Sequence, residues 1–125
     1  LMAYSDTLNL VVGDTLPELT LRLKDKNTAA SGVVLDEDNS DTWAPIDISG
    51  ATVRLRIRQL GETTLADTRT CSVTDGTNGA CATDFGTSTF AAAGQYEGEI
   101  EITFASGGKQ TVYDLIKFKI REDFD

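Results

Sequence analysis

The sequence predicts an all-β protein, an antiparallel β-sandwich of about seven short strands. Apolar and polar residues alternate in several short segments, as they do when a strand has one buried and one solvated face. Turn residues separate these segments, and no segment has the spacing of a long amphipathic helix. At 125 residues the chain is long enough for one domain with a substantial core. A closed barrel is the alternative arrangement.

The N-terminal part of the chain is expected to contain two strands. Residues 1–7 are predicted to form a flexible arm, followed by a first strand at 8–12 and a turn at Gly13-Asp14. A second strand is predicted at 18–24, where leucines alternate with threonine, arginine and lysine. Pro17 immediately precedes this strand, where its missing N–H does least harm.

Residues 25–47 are polar and are predicted to be a long loop inserted between the second and third strands. Val33–Val34–Leu35 could add a short strand within it. Trp43 and Ile46 are expected to pin the end of the loop to the domain. Loops of this length in compact domains are usually functional or disordered.

The third, fourth and fifth strands follow this loop. In the third strand Val53, Leu55 and Ile57 alternate with arginines. The fourth and fifth strands, 65–73 and 80–85, form a hairpin that carries Cys71 and Cys81. A three-residue turn at 75–77 would place the cysteines opposite each other, whereas a two-residue turn would place Cys71 opposite Ala80. We favour two small, half-buried thiols over a disulfide.

The sixth and seventh strands have the clearest alternation in the chain. In the sixth, 94–104, Tyr96, Ile100 and Ile102 share one face with Gly98, and three glutamates occupy the other. A turn at 105–109 leads to the seventh strand, 110–121, which has three apolar residues inward and three cations outward. Residues 122–125 form an acidic tail.

Tyr96 refines the prediction to an immunoglobulin-like sandwich. A tyrosine at the start of the sixth strand, just after a small turn, resembles the tyrosine corner of immunoglobulin domains, whose hydroxyl bonds to upstream backbone. Gly98 stands where an antibody domain has its second cysteine, so the inter-sheet disulfide of that fold is absent. We therefore assign Tyr96, Gly98 and the loop anchor Trp43 structural roles.

The charges on three strands predict a surface for protein contacts. In an immunoglobulin-like sandwich the third, sixth and seventh strands are neighbours. Their outward side chains are Arg54, Arg56 and Arg58 on the third, Glu97, Glu99 and Glu101 on the sixth, and Lys117, Lys119 and Arg121 on the seventh. Cross-strand ion pairs alone explain such a face as a solvated, salt-bridged surface, which is the commoner case. The excess of cations on an acidic protein favours docking to an acidic partner, including another copy, so these six cations are the partner-binding candidates.

Composition argues against several classes of function. The net charge is −9 and there is no histidine. An acidic chain is poorly suited to nucleic acid or anionic membranes, and without histidine the commonest general base and metal ligand is missing. We therefore predict no enzyme activity, no catalytic residue, no cofactor and no metal. Residues 36–41 are acidic but lack the glycine and distal glutamate of an EF-hand loop, so a solvated loop is the favoured interpretation over a calcium site. Tyr4, Trp43 and Tyr113 could line a sugar-binding surface, but scattered aromatics are more often core or loop anchors.

Several segments resemble the N-terminal domain of the bacteriophage baseplate upper protein family. They are 13–19 (GDTLPEL), 45–53 (PIDISGATV), 93–104 (AGQYEGEIEITF), Gly107-Gly108 and 118–121 (FKIR). The resemblance covers most of residues 8–122 and consists of turn glycines and strand patterns.

The resemblance implies an immunoglobulin-like structural module of a phage tail or baseplate. It predicts a non-enzymatic virion protein, assembled in the host cytoplasm, with other virion proteins as partners and several copies in each particle. A capsid or neck decoration protein, or a sandwich that binds carbohydrate or calcium at a surface, is the alternative.

Overall fold

The computed structural model describes residues 7–112 and 115–124, and this part of the chain contains ten strands. They are β1 (Thr7–Val11), β2 (Leu19–Arg22), β3 (Lys24–Ala29), β4 (Trp43–Pro45), β5 (Thr52–Gln59), β6 (Leu65–Asp75), β7 (Ala80–Thr83), β8 (Gly94–Thr103), β9 (Lys109–Thr111) and β10 (Ile116–Arg121). Short 3-10 turns occupy Ser40–Thr42 and Gly76–Asn78.

Eight of these strands form one continuous sheet that folds back over the core. Their order is β1-β10-β8-β5-β6-β7-β2, and β9 also pairs with β8. β6 joins the two layers, because it pairs with β5 as far as Cys71 and with β7 from Ser72 onward. The all-β sandwich prediction is confirmed. An immunoglobulin domain has two separate sheets, whereas here β6 belongs to both layers, so the finer immunoglobulin-like topology stays a prediction.

The core lies between the two layers. Inward side chains of β2, β5, β8 and β10 belong to one buried cluster, and Leu23, Val53, Leu55, Ile57, Ile100 and Ile102 are fully buried. Phe90 lies at the centre of an aromatic cluster, with its ring centroid 5.1 Å from those of Phe85, Tyr96 and Phe118. Such edge-to-face and tilted contacts add to the stabilisation that comes from burial.

Two details at the start of β8 show how this strand fits into the core. The Tyr96 hydroxyl donates a hydrogen bond to the carbonyl oxygen of Ala92 (2.8 Å), so the predicted tyrosine corner is present. Gly98 is buried, and a Cβ atom there would lie 2.7 Å from Cδ1 of Leu55. The absence of a side chain at Gly98 therefore leaves room for the side chains of Leu55 and Phe118 beside β8.

The region 25–47 is only partly the loop that the sequence predicts. β3 and β4 form a separate two-stranded antiparallel sheet within it. The proposed strand at Val33–Leu35 is wrong, since these residues have no strand structure and Val34 is 88% exposed. Ile46 belongs to the main core, but Trp43 is buried outside that cluster. Its indole Nε1 donates to the carbonyl oxygen of Asp36 (2.9 Å), so Trp43 holds two parts of the region 25–47 together.

The ends of the chain and the last strand differ from the predictions in detail. Thr7 belongs to β1, while residues 1–6 of the predicted arm lie outside the described residues. The predicted seventh strand consists of β9 and β10, which pair with different parts of β8. Glu122–Phe124 have no regular structure and are exposed, and Asp125 lies outside the described residues.

Both predicted registers of the cysteine hairpin are wrong. Cys81 lies opposite Val73, because a bulge between Val73 and Asp75 shifts the pairing after the 3-10 turn. Cys71 and Cys81 are both buried free thiols on the core side. A hydrogen bond to Cys81 raises the pKa of the Cys71 thiol, and burial raises it further. The two cysteines are free thiols, as the preferred interpretation had it, but they are buried and not half-buried.

Candidate functional site

The outward side chains of β5, β8 and β10 form the candidate site, which we call the outer face. β8 lies between β5 and β10, so the predicted neighbours are confirmed. Alternation places the charged residues of these strands opposite the buried ones, with β8 half-exposed and β10 exposed. The outer face comprises Arg54, Arg56, Arg58, Glu97, Glu99, Glu101, Lys117, Lys119 and Arg121.

The arginines of β5 pair with the glutamates of β8. Arg54, Arg56 and Arg58 stand directly opposite Glu101, Glu99 and Glu97 in the β5–β8 register. Arg58 places Nε and Nη2 each 2.8 Å from Oε1 of Glu97. Arg56 Nη1 lies 3.0 Å from Oε2 of Glu101 and 3.9 Å from Oε1 of Glu99. The arginine side of the outer face therefore neutralises the carboxylates, each exposed pair being worth about 0.2–1 kcal/mol.

The cations of β10 are displaced along the sheet relative to these glutamates. Lys117 lies opposite Glu97, but Lys119 lies opposite Gln95, and Arg121 pairs with Val11 of β1. The cross-strand ion pairs that the sequence predicts between β10 and the glutamates of β8 are therefore wrong for Lys119 and Arg121. Within the described residues, no ion pair involves Lys117 or Lys119. Arg121 donates to the carbonyl oxygen of Glu122 and stacks on Phe124, 5.1 Å from the ring centroid.

Two shallow grooves cross the outer face on either side of Glu97. The arginine groove, of about 230 Å³, runs between the arginines and the exposed Leu65. The lysine groove, of about 380 Å³, is lined by Thr7, Leu60, Gln95, Glu97, Lys117 and Lys119. Leu60 is 56% exposed, so the lysine groove combines an accessible apolar side chain with two cations. This combination suits an extended segment that carries both apolar and acidic residues.

A second polar cluster was missed in the sequence. Asp67 and Arg69 of β6 point toward the core side, where Arg69 lies 3.5 Å from Oδ2 of Asp67 and 3.0 Å from Oδ1 of Asp84. The buried Thr89 hydroxyl donates to Asp67 and accepts from the backbone N–H of Gly86 (2.8 Å). We call these five residues the β6 clamp. The sequence did contain a signal for this cluster. Asp67 and Arg69 lie four and two residues before the buried Cys71, so all three side chains are on the same face of β6.

The side chains of the β6 clamp form hydrogen bonds with one another, so a structural role explains this cluster best. The Thr89 hydroxyl has a donor and an acceptor, and both carboxylates accept from neighbouring groups. Among the described residues, no buried side-chain polar atom lacks a hydrogen-bond partner. The clamp fastens residues 84–89 to β6.

The other predicted candidates do not assemble into a site. Asp36 and Asn39 side chains accept hydrogen bonds from nearby backbone N–H groups, and no group of three potential metal ligands lies together within the described residues. Trp43 is 7% exposed with the amine of Lys26 over its ring (5.6 Å), so it offers no surface for stacking a sugar. Tyr4 and Tyr113 lie outside the described residues.

Comparisons with known proteins return no match, either to a family model or to a curated protein. Among the helices that the structure describes, none is long and apolar enough to cross a bilayer. Functional inference therefore rests on the outer face and on the sequence resemblance.

Proposed function

We propose that this chain is a non-enzymatic structural component of a bacteriophage virion, located in the tail or baseplate. It acts through protein–protein contacts and is assembled with other virion proteins in the host cytoplasm. Support comes first from the resemblance of segments 13–19, 45–53 and 93–104 to the N-terminal domain of the baseplate upper protein family.

The observation that carries the proposal is the cation excess on the outer face. Lys117 and Lys119 are exposed beside carboxylates that already hold arginines, on a chain whose net charge is −9. Complementary charge steers association and selects a partner. A fixed sheet face with such charges suits a permanent contact with an acidic protein surface, which is what a particle component requires.

A capsid or neck decoration protein is the runner-up, because the same face would serve there. Quantitative mass spectrometry of purified particles of the encoding phage separates the two. Tails are split from heads, and the chain is quantified against a major tail protein. We expect a fixed ratio in the tail fraction. A fixed ratio in the head fraction would favour decoration, and absence from both would contradict a virion role.

Particles assembled with a charge-reversed chain test whether the outer face makes the contact. Lys119→Glu should reduce the number of copies per particle, because it removes a cation from the lysine groove. Lys109→Glu is the matched control, since it makes the same change in net charge at an exposed residue of β9. Equal incorporation of both variants would show that the lysine groove is not the contact.

A further inference from the structure

We propose that the acidic partner of the lysine groove is a second copy of this chain, and that copies associate head to tail. The segment that docks is 33–38, which we call the acidic tip. The inference rests on the proposed function, since it names the partner of the same face, and it specifies a repeating contact between identical chains.

The acidic tip has the chemistry that the lysine groove would accept. Val33 and Val34 are exposed, the half-buried Leu35 follows them, and the exposed Asp36, Glu37 and Asp38 come next. An apolar pair next to three carboxylates matches an exposed leucine next to two lysines. The tip also has a defined shape, because the Asp36 side chain accepts from the N–H of Asp38 (2.9 Å) and its carbonyl oxygen accepts from Trp43. A segment that is already ordered loses less entropy when it docks.

The attachment point of the small sheet and the lysine groove lie toward opposite ends of β5. The small sheet that carries the tip joins the main body where β5 begins, through hydrogen bonds from Ile46 to Leu23 (2.9 Å) and from Ile48 to Gly76 (2.9 Å). The lysine groove lies where β5 ends, since Leu60 donates to the carbonyl oxygen of Gln95 (2.8 Å) and Lys119 stands opposite Gln95. Along β5 these ends are roughly 25 Å apart at the usual rise of a strand.

The place of attachment favours one kind of assembly. Because the small sheet joins the body at the end of β5 away from the groove, the proposed contact joins two copies. Tip and groove are different surfaces, so the contact is heterologous and each added copy presents a fresh groove. Such contacts close into a ring when the rotation allows it and otherwise form an open chain. Either arrangement places many copies in register, as a particle component requires.

Charge-swapped variants test the contact in solution. One variant carries Lys117→Glu and Lys119→Glu, which reverses the groove. The other carries Glu37→Lys and Asp38→Lys, which reverses the tip and spares the Asp36 side chain that shapes it. Sedimentation velocity is measured at protein concentrations up to about 1 mM. This is the order of the effective concentration that sites reach when they are held close together. We expect the wild type to associate and each variant alone to stay monomeric.

Mixing the two variants at equal concentration should restore association. The acidic tip of the first then meets the basic groove of the second, and the basic tip of the second meets the acidic groove of the first. Lys119→Glu alone and Lys109→Glu alone have equal net charge, so only the former should weaken wild-type association. Unfolding midpoints and circular dichroism confirm that every variant is folded.

Three outcomes would overturn the proposal: a monomeric wild type at the highest concentration, unchanged association of the groove variant, or a mixture that stays monomeric. In each case another virion protein becomes the occupant of the lysine groove. The result is independent of the particle analysis. Self-association without virion incorporation would refute the proposed function alone, and incorporation of a monomeric chain would refute only the head-to-tail contact.

Discussion

At Gly98 the missing side chain makes room for two buried neighbours, Leu55 and the ring of Phe118. A Cβ atom there would lie 2.7 Å from Cδ1 of Leu55 and 3.1 Å from Cε2 of Phe118. Leu55 is fully buried and Phe118 is nearly so, and packed neighbours limit their retreat. We expect Gly98→Ala to lower the free energy of unfolding by about 1–3 kcal/mol, measured by urea denaturation.

Two variants make this test specific. Gly108→Ala is the control, because its Cβ atom would meet only ordinary contacts, 3.6 Å from Oγ of Ser106 and 3.9 Å from Cδ2 of Phe104. Leu55→Val removes the closest atom, Cδ1. In a Leu55→Val background, Gly98→Ala should therefore lower the free energy of unfolding by less. Equal costs in both backgrounds would show that the clash with Leu55 is not the cause.

Asp47 provides a second prediction about a single residue, and this prediction concerns pH. Hydrogen bonds from the side chain and backbone N–H of Ser49, the latter 2.9 Å from Oδ1, lower the pKa of the Asp47 carboxyl. A lowered folded-state pKa contributes stability above the unfolded value of about 3.9, and the contribution is lost as pH falls through the folded value. NMR titration should place the Asp47 midpoint below the usual range, and Ser49→Ala should raise it. An unchanged midpoint in Ser49→Ala would rule out the side-chain hydrogen bond.

Among the elements, β8 was predictable and the small β3–β4 sheet was not. Tyr96, Gly98, Ile100 and Ile102 alternate with glutamates without interruption, and a half-buried strand is the structure that this period specifies. β3 has the sequence KDKNTA, which offers no apolar alternation. It is a strand because Trp43 and its neighbours in β4 supply partners from fourteen or more residues away. Pairing of this kind is a tertiary effect and leaves no local pattern.

The β6 clamp yields a prediction about how one element holds another. Thr89→Val keeps the shape of the side chain but removes the hydroxyl that joins Gly86 to Asp67. We expect the free energy of unfolding to fall by about 1–3 kcal/mol, toward the lower end because Asp67 still reaches solvent. Amide hydrogen exchange should also become faster in residues 84–89, because their attachment to β6 is weakened.

The exposed Thr87 is the matched control for the clamp. It lies in the same turn, and Thr87→Val removes a hydroxyl that the clamp does not use. Stability and exchange should be close to those of the wild type. If both variants lose the same stability, the loss reflects the replacement of a hydroxyl by a methyl group anywhere in this turn, and the clamp has no special role.

For the whole molecule, the sequence predicted which strands are neighbours but not how far they slide along each other. The order β5-β8-β10 follows from the seven-strand sandwich that Tyr96 suggested. Alternation has a period of two residues, so sliding a strand by two preserves every buried position. The sequence therefore could not show that Lys119 lies opposite Gln95 and not opposite a glutamate. That displacement leaves Lys119 without a glutamate opposite it, while Glu97, opposite Lys117, pairs with Arg58.

β10 joins the two ends of the chain in space, and this leads to a prediction for the molecule as a whole. It pairs with β1 on one side and β8 on the other, and it buries Ile116, Phe118 and Ile120. Each such side chain contributes about 1.5–3 kcal/mol by burial, and together they approach the total stability of a typical domain. A chain that ends after Thr111 should show no cooperative unfolding in urea.

The control truncation ends after Arg121 and removes only residues 122–125. Phe124 is 97% exposed, and its contact with Arg121 is worth about 0.5–1 kcal/mol, so this chain should unfold cooperatively within about 1 kcal/mol of the full-length protein. The lysine groove stays complete, so the control should also keep its concentration-dependent association. Cooperative unfolding of the chain that ends after Thr111 would mean that the sandwich folds without β10. The pairing of β1 with β10 would then not be needed for a stable fold.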